Sequence, residues 1–464
     1  MEKLIAVLER WFALISFAAA LTFSALYFFG PWFKPINPSP VHSDGRGYFT
    51  YLPAVFIHHD ISFEKAVDAN PTELTRSDVF DLYYPHRDIA RELPACGFFP
   101  SPTGKGFTDK YPPGVAVMVA PFYLLAHLLA GPLHAPRNGW SYPYQLAVTF
   151  AGAVYLALGL WFLRAELRRH FTVGQTLFAL AAVVFGTNLF IYSTMEATFS
   201  HVHSFVLLCA VIFATARWLD AFRWRDTILL GVASGLIALV RLSNVPFLIV
   251  VPLYGLVLLG GPSQLAVTLW RQRIQVAAAI ALALLTFSPQ LFYWKATTGD
   301  WLHDGYVAET FHFAHPKLLR VFGGVEKGLF FWAPVLLLAL PGFCWLRRAA
   351  PSWKWAVPVS LLIQFYLVSS WWDWGYGYTF GHRAFVEFMP LFALGLAATL
   401  QRASQRSSSL AKATIALALV LICLNAVQSL QYALAIIPPT GTTWEKYTGL
   451  FLDLSEPLRY QWRH

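Results

Sequence analysis

Apolar residues run through this chain in long blocks, with most of the charge confined to the polar stretches between them. A helix needs about 20 mostly apolar residues to cross a bilayer. Blocks near that length fall at 11–33, 113–133, 143–163, 174–194, 202–219, 226–240, 244–260, 275–294, 328–346, 355–371, 384–400 and 411–436. The pattern predicts an all-α polytopic membrane protein. The two blocks flanking Arg241-Leu242-Ser243-Asn244 are each short, which suits a tight hairpin better than one long broken helix.

The basic residues set the expected topology. Arg164, Arg168 and Arg169 form one cluster, and Arg217, Arg223 and Arg225 the next. Arg271 and Arg273 follow, then Arg347, Arg348 and Lys354, then Arg402, Arg406 and Lys412. Lys and Arg collect in cytoplasmic loops, so each cluster is expected inside, with a pair of spans between successive clusters. Block 113–133 breaks this parity. It opens with Pro112-Pro113-Gly114 and carries Pro121 and His127. It is therefore expected to be interfacial or re-entrant, leaving about eleven true spans.

Residues 1–33 then form an uncleaved anchor with its N-terminus cytoplasmic, since the block runs into Gly30-Pro31-Trp32 rather than a small-residue cleavage site. Residues 34–142 form a long first extracytoplasmic loop. Residues 143–294 form a central transmembrane module, 295–327 a second outer loop, 328–436 the C-terminal spans, and 437–464 an outer tail. The first loop far exceeds the 12–15 residues above which loops are usually functional or disordered, and its aromatic content argues against disorder.

Composition agrees. Of 464 residues 57% are hydrophobic and only 13% charged, against about 25% charged in soluble domains, and mean hydropathy is +0.51. The net charge of +9 reflects topology, and no nucleic-acid partner is implied. Cys209, Cys344 and Cys423 lie in apolar blocks and Cys96 alone in a polar loop, so no disulfide framework is expected.

Five constellations on the outer side could carry chemistry. His42-Ser43-Asp44-Gly45-Arg46-Gly47-Tyr48 follows the first span, and its glycines permit a tight turn. Asp44 is there a general base or metal ligand, or else a turn aspartate bonded to local backbone. His58-His59-Asp60, further on, reads better as a helix end than as a metal site. In Lys110-Tyr111-Pro112-Pro113-Gly114 a lysine beside a helix start could hold a phosphate, or snorkel at the interface. Glu196, His201 and His203 offer an H-x-H spacing with a nearby carboxylate, though such histidines more often orient a carboxylate or phosphate. A divalent metal is therefore not favoured. Arg241, with Asn244, sits at membrane depth, where an arginine is costly and usually functional; phosphate binding is the preferred reading.

The fifth constellation is Trp371 to Arg383, with Glu387 one turn on. Part of it is an interfacial aromatic belt. That does not account for Asp373, His382, Arg383 and Glu387 among three glycines; aromatic planes beside polar groups suit a sugar. Lys295, Asp300, His303, Asp304, Glu309 and His312 in the neighbouring loop could contribute to that site, though most of them read as solvated residues.

Taken together, these segments resemble the polytopic GT-C glycosyltransferases, most of all bacterial members of the protein-mannosyltransferase and aminoarabinose-transferase superfamily. The likeness rests on Ser43-Asp-Gly-Arg-Gly-Tyr-Phe-Thr-Tyr-Leu-Pro-Ala, Lys110-Tyr-Pro-Pro-Gly, Ala238-Leu-Val-Arg-Leu-Ser-Asn, Ser288-Pro-Gln-Leu-Phe-Tyr-Trp-Lys, Lys327-Gly-Leu-Phe-Phe-Trp-Ala-Pro and the Trp371–Arg383 stretch. It implies a GT-C-like bundle whose first outer loop carries interfacial helices. The implied activity is transfer of a sugar, with inversion, from a polyprenyl-phosphate carrier to a glycan, glycolipid or protein hydroxyl at the outer face of a bacterial cytoplasmic membrane. It makes Asp44 the base. Relatives often have two adjacent acids there, whereas this chain has Asp44-Gly45, so a second carboxylate would come from Glu196. Lys110, Arg241 and Arg383, with His201 and His203, would bind the donor phosphate. Tyr48, Tyr111, Trp372, Asp373 and His382 would contact acceptor or sugar. The rival readings are a flippase or transporter of a lipid-linked sugar, which would place polar groups through the midplane, and an O-antigen ligase or polymerase-type transferase.

Overall fold

The computed structural model describes residues 2–30, 39–63, 65, 97–306 and 309–455. Cys96 and the middle of the first loop lie outside the described residues. The regular structure of the described chain is helical apart from one small antiparallel ladder, Phe98–Pro100 with Phe107–Asp109, and an isolated antiparallel bridge between Phe311 and Trp371. Among the described residues six helices can, by length and composition, cross a membrane: Glu2–Phe29, Tyr142–Leu167, Ser200–Ala221, Arg273–Thr298, Arg383–Arg406 and Ser408–Ala433. A seventh arises if the bent pair Leu242–Leu258 and Pro262–Arg271, which meet at 108°, counts as one span. The protein is thus a multi-pass membrane protein.

Several other apolar blocks are too short or too broken to qualify. Block 174–194 divides at Gly186 into Val173–Phe185 and Leu189–Tyr192. Block 328–346 becomes Leu329–Trp332, a 3-10 turn at Pro334–Leu338 and Ala339–Ala349. Proline explains the second break: Pro334 has no N–H to continue a helical ladder. Other helix ends are locally encoded. Thr172 and Gln175 form a reciprocal capping box at the head of Val173–Phe185, and Gly299, at φ 85°, ends Arg273–Thr298.

Two polar ends organise the bundle. At one, Glu9 pairs with Arg164 at 2.8 Å and Arg169 with Asp220 at 2.7 Å. Trp353 donates to the fully buried Glu166 at 2.9 Å, and Gln275 to the Phe222 carbonyl at 2.7 Å. Asp44, Lys110, Glu196, Arg241 and Arg383 are at the other. Trp224–Val240 runs toward the Asp44 end. After the break at Arg241 the chain returns, since Gly255 packs on Leu219 and Tyr254 on Trp353.

Helix Gly114–Ala130 stays on the Tyr142 side of its neighbour Tyr142–Leu167. The Tyr155 hydroxyl donates to the Met118 carbonyl at 2.5 Å, and His127 pairs with the Tyr144 hydroxyl at 2.7 Å. With 17 residues it never reaches the Arg164 end.

One close approach places this helix at the site. A Cβ on Gly114 would lie 2.4 Å from the backbone of Leu239 and Val240, next to Arg241. Because backbone cannot give way as a side chain can, Gly114→Val is expected to cost at least the roughly 1–3 kcal/mol typical of overpacking. A lower thermal midpoint of purified protein in detergent, relative to Val115→Ala, checks this; an unchanged midpoint would contradict the packing.

Candidate functional site

Interrupted helices build the site. Ser43, a non-glycine residue at φ 48° and ψ −132°, turns the chain into helix Asp44–Pro53. Gly45 lets that turn lie flat on segment 196–199, since a Cβ there would come within 2.1 Å of Thr198 Oγ1. Arg241 is extended between Trp224–Val240 and the 3-10 helix Leu242–Ile249. Arg383 opens another 3-10 turn, Arg383–Phe388, before Met389–Arg406. Each charged side chain thus leaves a helix end, where free backbone groups and water access make polarity tolerable.

Three cation–carboxylate pairs result. Arg383 Nη1 lies 2.9 Å from Asp44 Oδ2. Arg241 Nη1 lies 3.5 Å from Glu387 Oε1, whose other oxygen accepts from His201 Nδ1 at 2.9 Å. Lys110 Nζ lies 2.7 Å from Glu309 Oε1, and Trp372 Nε1 donates to Glu309 Oε2 at 3.3 Å. Aromatic rings fill the space between. Tyr376, at φ 58°, has both guanidiniums over its ring, Arg241 at 5.3 Å and Arg383 at 5.9 Å. Lys110 lies over Tyr111 and Tyr306, at 5.2 and 5.5 Å. Tyr48 packs on Tyr111 with centroids 4.6 Å apart.

Asp44 is the centre of this arrangement. Burial alone would raise its pKa. The Arg383 guanidinium, a hydrogen bond from the Tyr111 hydroxyl, and the charges of Lys110 and Arg241 outweigh burial, and the pKa falls below the ordinary value. Arg383 keeps a buried Nε with no hydrogen-bond partner among the described residues. Asp109 supports the arm from below. One carboxylate oxygen accepts from the Tyr111 amide at 2.9 Å, and burial raises its pKa well above normal.

A second layer surrounds the first. Glu196 receives His42 Nε2 at 3.0 Å and the Tyr432 hydroxyl at 3.3 Å. Lys327 is buried and donates to the carbonyls of Thr379 and Pro439, tying the Trp371–Arg383 loop to the segment after the last long helix; burial, with Arg383 nearby, lowers its pKa to about 7. Asp373 feels both Arg383 and Lys327, though burial leaves its pKa raised.

Asp44, Tyr48, Tyr111, Lys110, Arg241, His201 and Arg383 therefore gather in one cluster, with Trp372 joined through Glu309. Glu196 lies beside it on His42 rather than on Asp44. His382 is buried next to Tyr376 and Phe385, with ring centroids at 5.9 and 5.0 Å. His203 does not join. Its ring faces Tyr155 at 5.2 Å and its Nδ1 meets the Phe199 carbonyl of its own helix, because residues two apart on a helix point in different directions. The H-x-H pair consequently does not converge on one point. Among the described residues no group of three or more His, Cys, Asp or Glu side chains has metal-binding spacing. Asp44, Glu196, Glu309 and Glu387 are each paired with a cation or an imidazole. Sequence reasoning missed Tyr306, gave His42 no role of its own beside Asp44, read Glu309 mostly as a solvated loop residue, and grouped Glu387 with Arg383 without finding its partners. Lys327 opens the Lys327-Gly-Leu-Phe-Phe-Trp-Ala-Pro motif, but nothing in the sequence signals its burial.

The fold is that of a multi-pass helical membrane protein. No protein-family model and no curated protein matches the chain. Among solved structures, it is similar to the archaeal oligosaccharyltransferase AglB from Archaeoglobus fulgidus, solved with an inhibitory peptide and a dolichol-phosphate, at TM-score 0.50 and 12% identity over 98% of this chain and 62% of that one. The Archaeoglobus fulgidus oligosaccharyltransferase tethered to an acceptor peptide matches at TM-score 0.49 and 13% identity, over 98% and 61%. The chain thus spans about 62% of the length of the first of these structures.

The Asp44–Arg383 pair gives a sharp expectation. Removing one partner of a fully buried pair costs about 3–5 kcal/mol, an upper bound for this part-buried pair, whose side chains are 13% and 20% exposed. Arg383→Gln should fall at the low end, because Tyr111 and Lys110 still serve Asp44. Asp44's depressed pKa stabilises the fold above the ordinary carboxylate pKa, and this contribution is lost as pH falls through the folded value. Acid unfolding of Arg383→Gln should therefore begin at higher pH than that of the parent protein. Adding Asp44→Asn should recover part of the lost thermal stability; strictly additive losses would contradict the coupling.

Proposed function

We propose that this chain is an inverting glycosyltransferase. It moves a sugar from a polyprenyl-phosphate carrier to a hydroxyl acceptor at the outer face of a bacterial cytoplasmic membrane, in modification of a cell-envelope glycan or glycolipid. The observation that carries this reading is one carboxylate, Asp44, within reach of three cations at a single end of the bundle.

The chemistry follows from that arrangement. The acceptor oxygen attacks the anomeric carbon from the face opposite the phosphate. The bond from that carbon to the phosphate oxygen breaks, and the carrier leaves as polyprenyl phosphate. Asp44 takes the acceptor proton. Arg383, Arg241 and Lys110 stabilise the charge growing on the phosphate. No strong general acid is required, because a phosphate is already a good leaving group. In the resting site Asp44 is a weak base, held ionised by Arg383. A donor phosphate drawn to Arg383 loosens that pair, and Asp44 becomes more basic when a substrate is present.

The aromatic faces of Tyr48, Tyr111, Trp372 and Tyr376 suit the C–H faces of a sugar, and this reading assigns Asp373 and His382 to its hydroxyls. Exposed apolar side chains of Arg273–Thr298, among them Leu284, Leu285 and Phe292, offer a surface for the carrier's tail. The similarity in fold to a structure holding a dolichol-phosphate supports a lipid-linked donor. The same reading takes the basic end as cytoplasmic and the bundle as eleven crossings, with helix Gly114–Ala130 on the outer side; the alternation of the chain between its two polar ends supports it.

Purified protein in detergent, given a panel of polyprenyl-phosphate sugars, should release sugar from at least one carrier. A transporter would leave every carrier intact, since detergent abolishes compartments. Asp44→Asn should lower turnover by at least about 10²-fold, the lower range for a lost general base, while donor binding by the purified variant persists. Full turnover in that variant would remove Asp44 as the base.

A further inference from the structure

His42 stands two residues before Asp44, and no role for it follows from the transfer chemistry. Its ring has an acceptor on each side. Nδ1 lies 3.2 Å from the Ser39 carbonyl, and Nε2 lies 3.0 Å from Glu196 Oε2. A neutral imidazole carries one N–H and leaves the other nitrogen as an acceptor. Two acceptors are satisfied together only by the doubly protonated ring, whose charge Glu196 balances.

Between His42 and Asp44 sits Ser43, in a backbone region that L-residues with a side chain rarely occupy. Such a conformation costs on the order of 1–3 kcal/mol and persists only where its surroundings impose it. Those surroundings are identifiable. Glu196 holds His42 on one side of Ser43, and Gly45 packs flat on Thr198 on the other. Phe199, in the same segment, touches both the clamp and the site: its ring lies 5.7 Å from the His42 ring and 5.3 Å from the Arg383 guanidinium.

We propose that His42 is a positioning residue, a two-sided donor between Ser39 and Glu196 that clamps the strained turn and so sets Asp44 against Arg383. This rests on the reading of Asp44 as the base, and it accounts for Glu196, which acts through His42 rather than as a second catalytic carboxylate. Among the described residues the groups facing the ring are few. Glu196 comes from the segment before Ser200–Ala221, with the Tyr432 hydroxyl of the last long helix behind it on Oε1. The Ser39 carbonyl and Asp44 belong to its own segment, and Arg383 lies beyond Phe199. Burial opposes the charge on His42; the charge and hydrogen bond of Glu196, with backbone acceptors, overcome it, and the pKa is raised. A raised histidine pKa gives a clamp that is fully formed below the unfolded value near 6.5 and is lost as pH rises through the folded value.

His42→Gln retains one donor and cannot titrate. In the transferase assay its kcat should fall about 10- to 100-fold, the scale of a ~1 Å misplacement of a reacting group, with donor KM within about twofold. The parent enzyme should lose kcat on the alkaline side, His42→Gln should lack that limb, and Glu196→Gln should shift it to lower pH. Parent-like kcat in His42→Gln, or an alkaline limb that survives the substitution, would overturn the proposal. A second measurement does not depend on activity. In ¹⁵N-histidine-labelled protein, the signal missing from His42→Gln should titrate above about 6.5 and move down in Glu196→Gln. If the parent turns over no carrier, the transferase reading fails, and this titration alone decides the clamp: a His42 that titrates at or below the ordinary value rejects it.

Discussion

An aspartate carboxylate taken out of water must find a cation or give up its charge, and much of this architecture answers that demand at Asp44. At an effective dielectric of about 20, unit charges 4 Å apart attract by roughly 4 kcal/mol, comparable with the desolvation they must offset. Arg383 meets the demand. It can do so only because the first loop, at one end of the chain, and the segment before Met389–Arg406, near the other, are brought to the same end of the bundle. The pair therefore depends on most of the fold between these segments being correct. The other cations are matched too, Arg241 with Glu387 and Lys110 with Glu309. The cluster is close to neutral by its own residues, which lets so much charge be buried at one end of the bundle.

The irregular backbone follows from the same constraint. A continuous helix keeps its polar groups to itself and points side chains outward along its length. A site that must gather three cations and their carboxylates needs chain ends. They are supplied by the extended residue at Arg241, the 3-10 turn at Arg383 and the strained Ser43. Aromatic rings then separate the cations. Tyr376, lying against both arginines, offsets part of their mutual repulsion through its ring face.

Much of this could be read from the chain, and the missing parts share a cause. Block lengths and basic clusters point to a polytopic protein with chemistry at one end. Charged or strongly polar residues next to prolines, glycines and block boundaries single out Asp44, Lys110, Arg241 and Arg383. These are local signals. What pairs with what is not local: Glu309 reads as one solvated loop residue among several, whereas the fold sets Lys110 and Trp372 on it. His203 is the converse case. Its spacing from His201 suggests a shared ligand, yet the helix sends the two rings to different neighbours. The number of spans is hard to read for a related reason. Apolar composition cannot reveal where a block breaks into short helices, as at Gly186 and Pro334.

Conservation of charge links the resting site to the proposed transfer. A sugar phosphodiester carries one negative charge, and the departing polyprenyl phosphate carries up to two. In the same step Asp44 loses its charge by taking the acceptor proton. One unit of negative charge thus passes from Asp44 to the phosphate, inside a ring of cations whose total does not change. Arg383, bonded to Asp44 before the reaction, has an unpaired buried Nε with which to follow that charge. The environment is therefore nearly as well solvated for products as for reactants, and little reorganisation is needed at the moment of reaction. That is the condition under which fixed protein charges lower a barrier most. It also explains why a carboxylate with a depressed pKa suits this role: its proton affinity rises as the phosphate competes for Arg383, so basicity appears where and when the donor is bound.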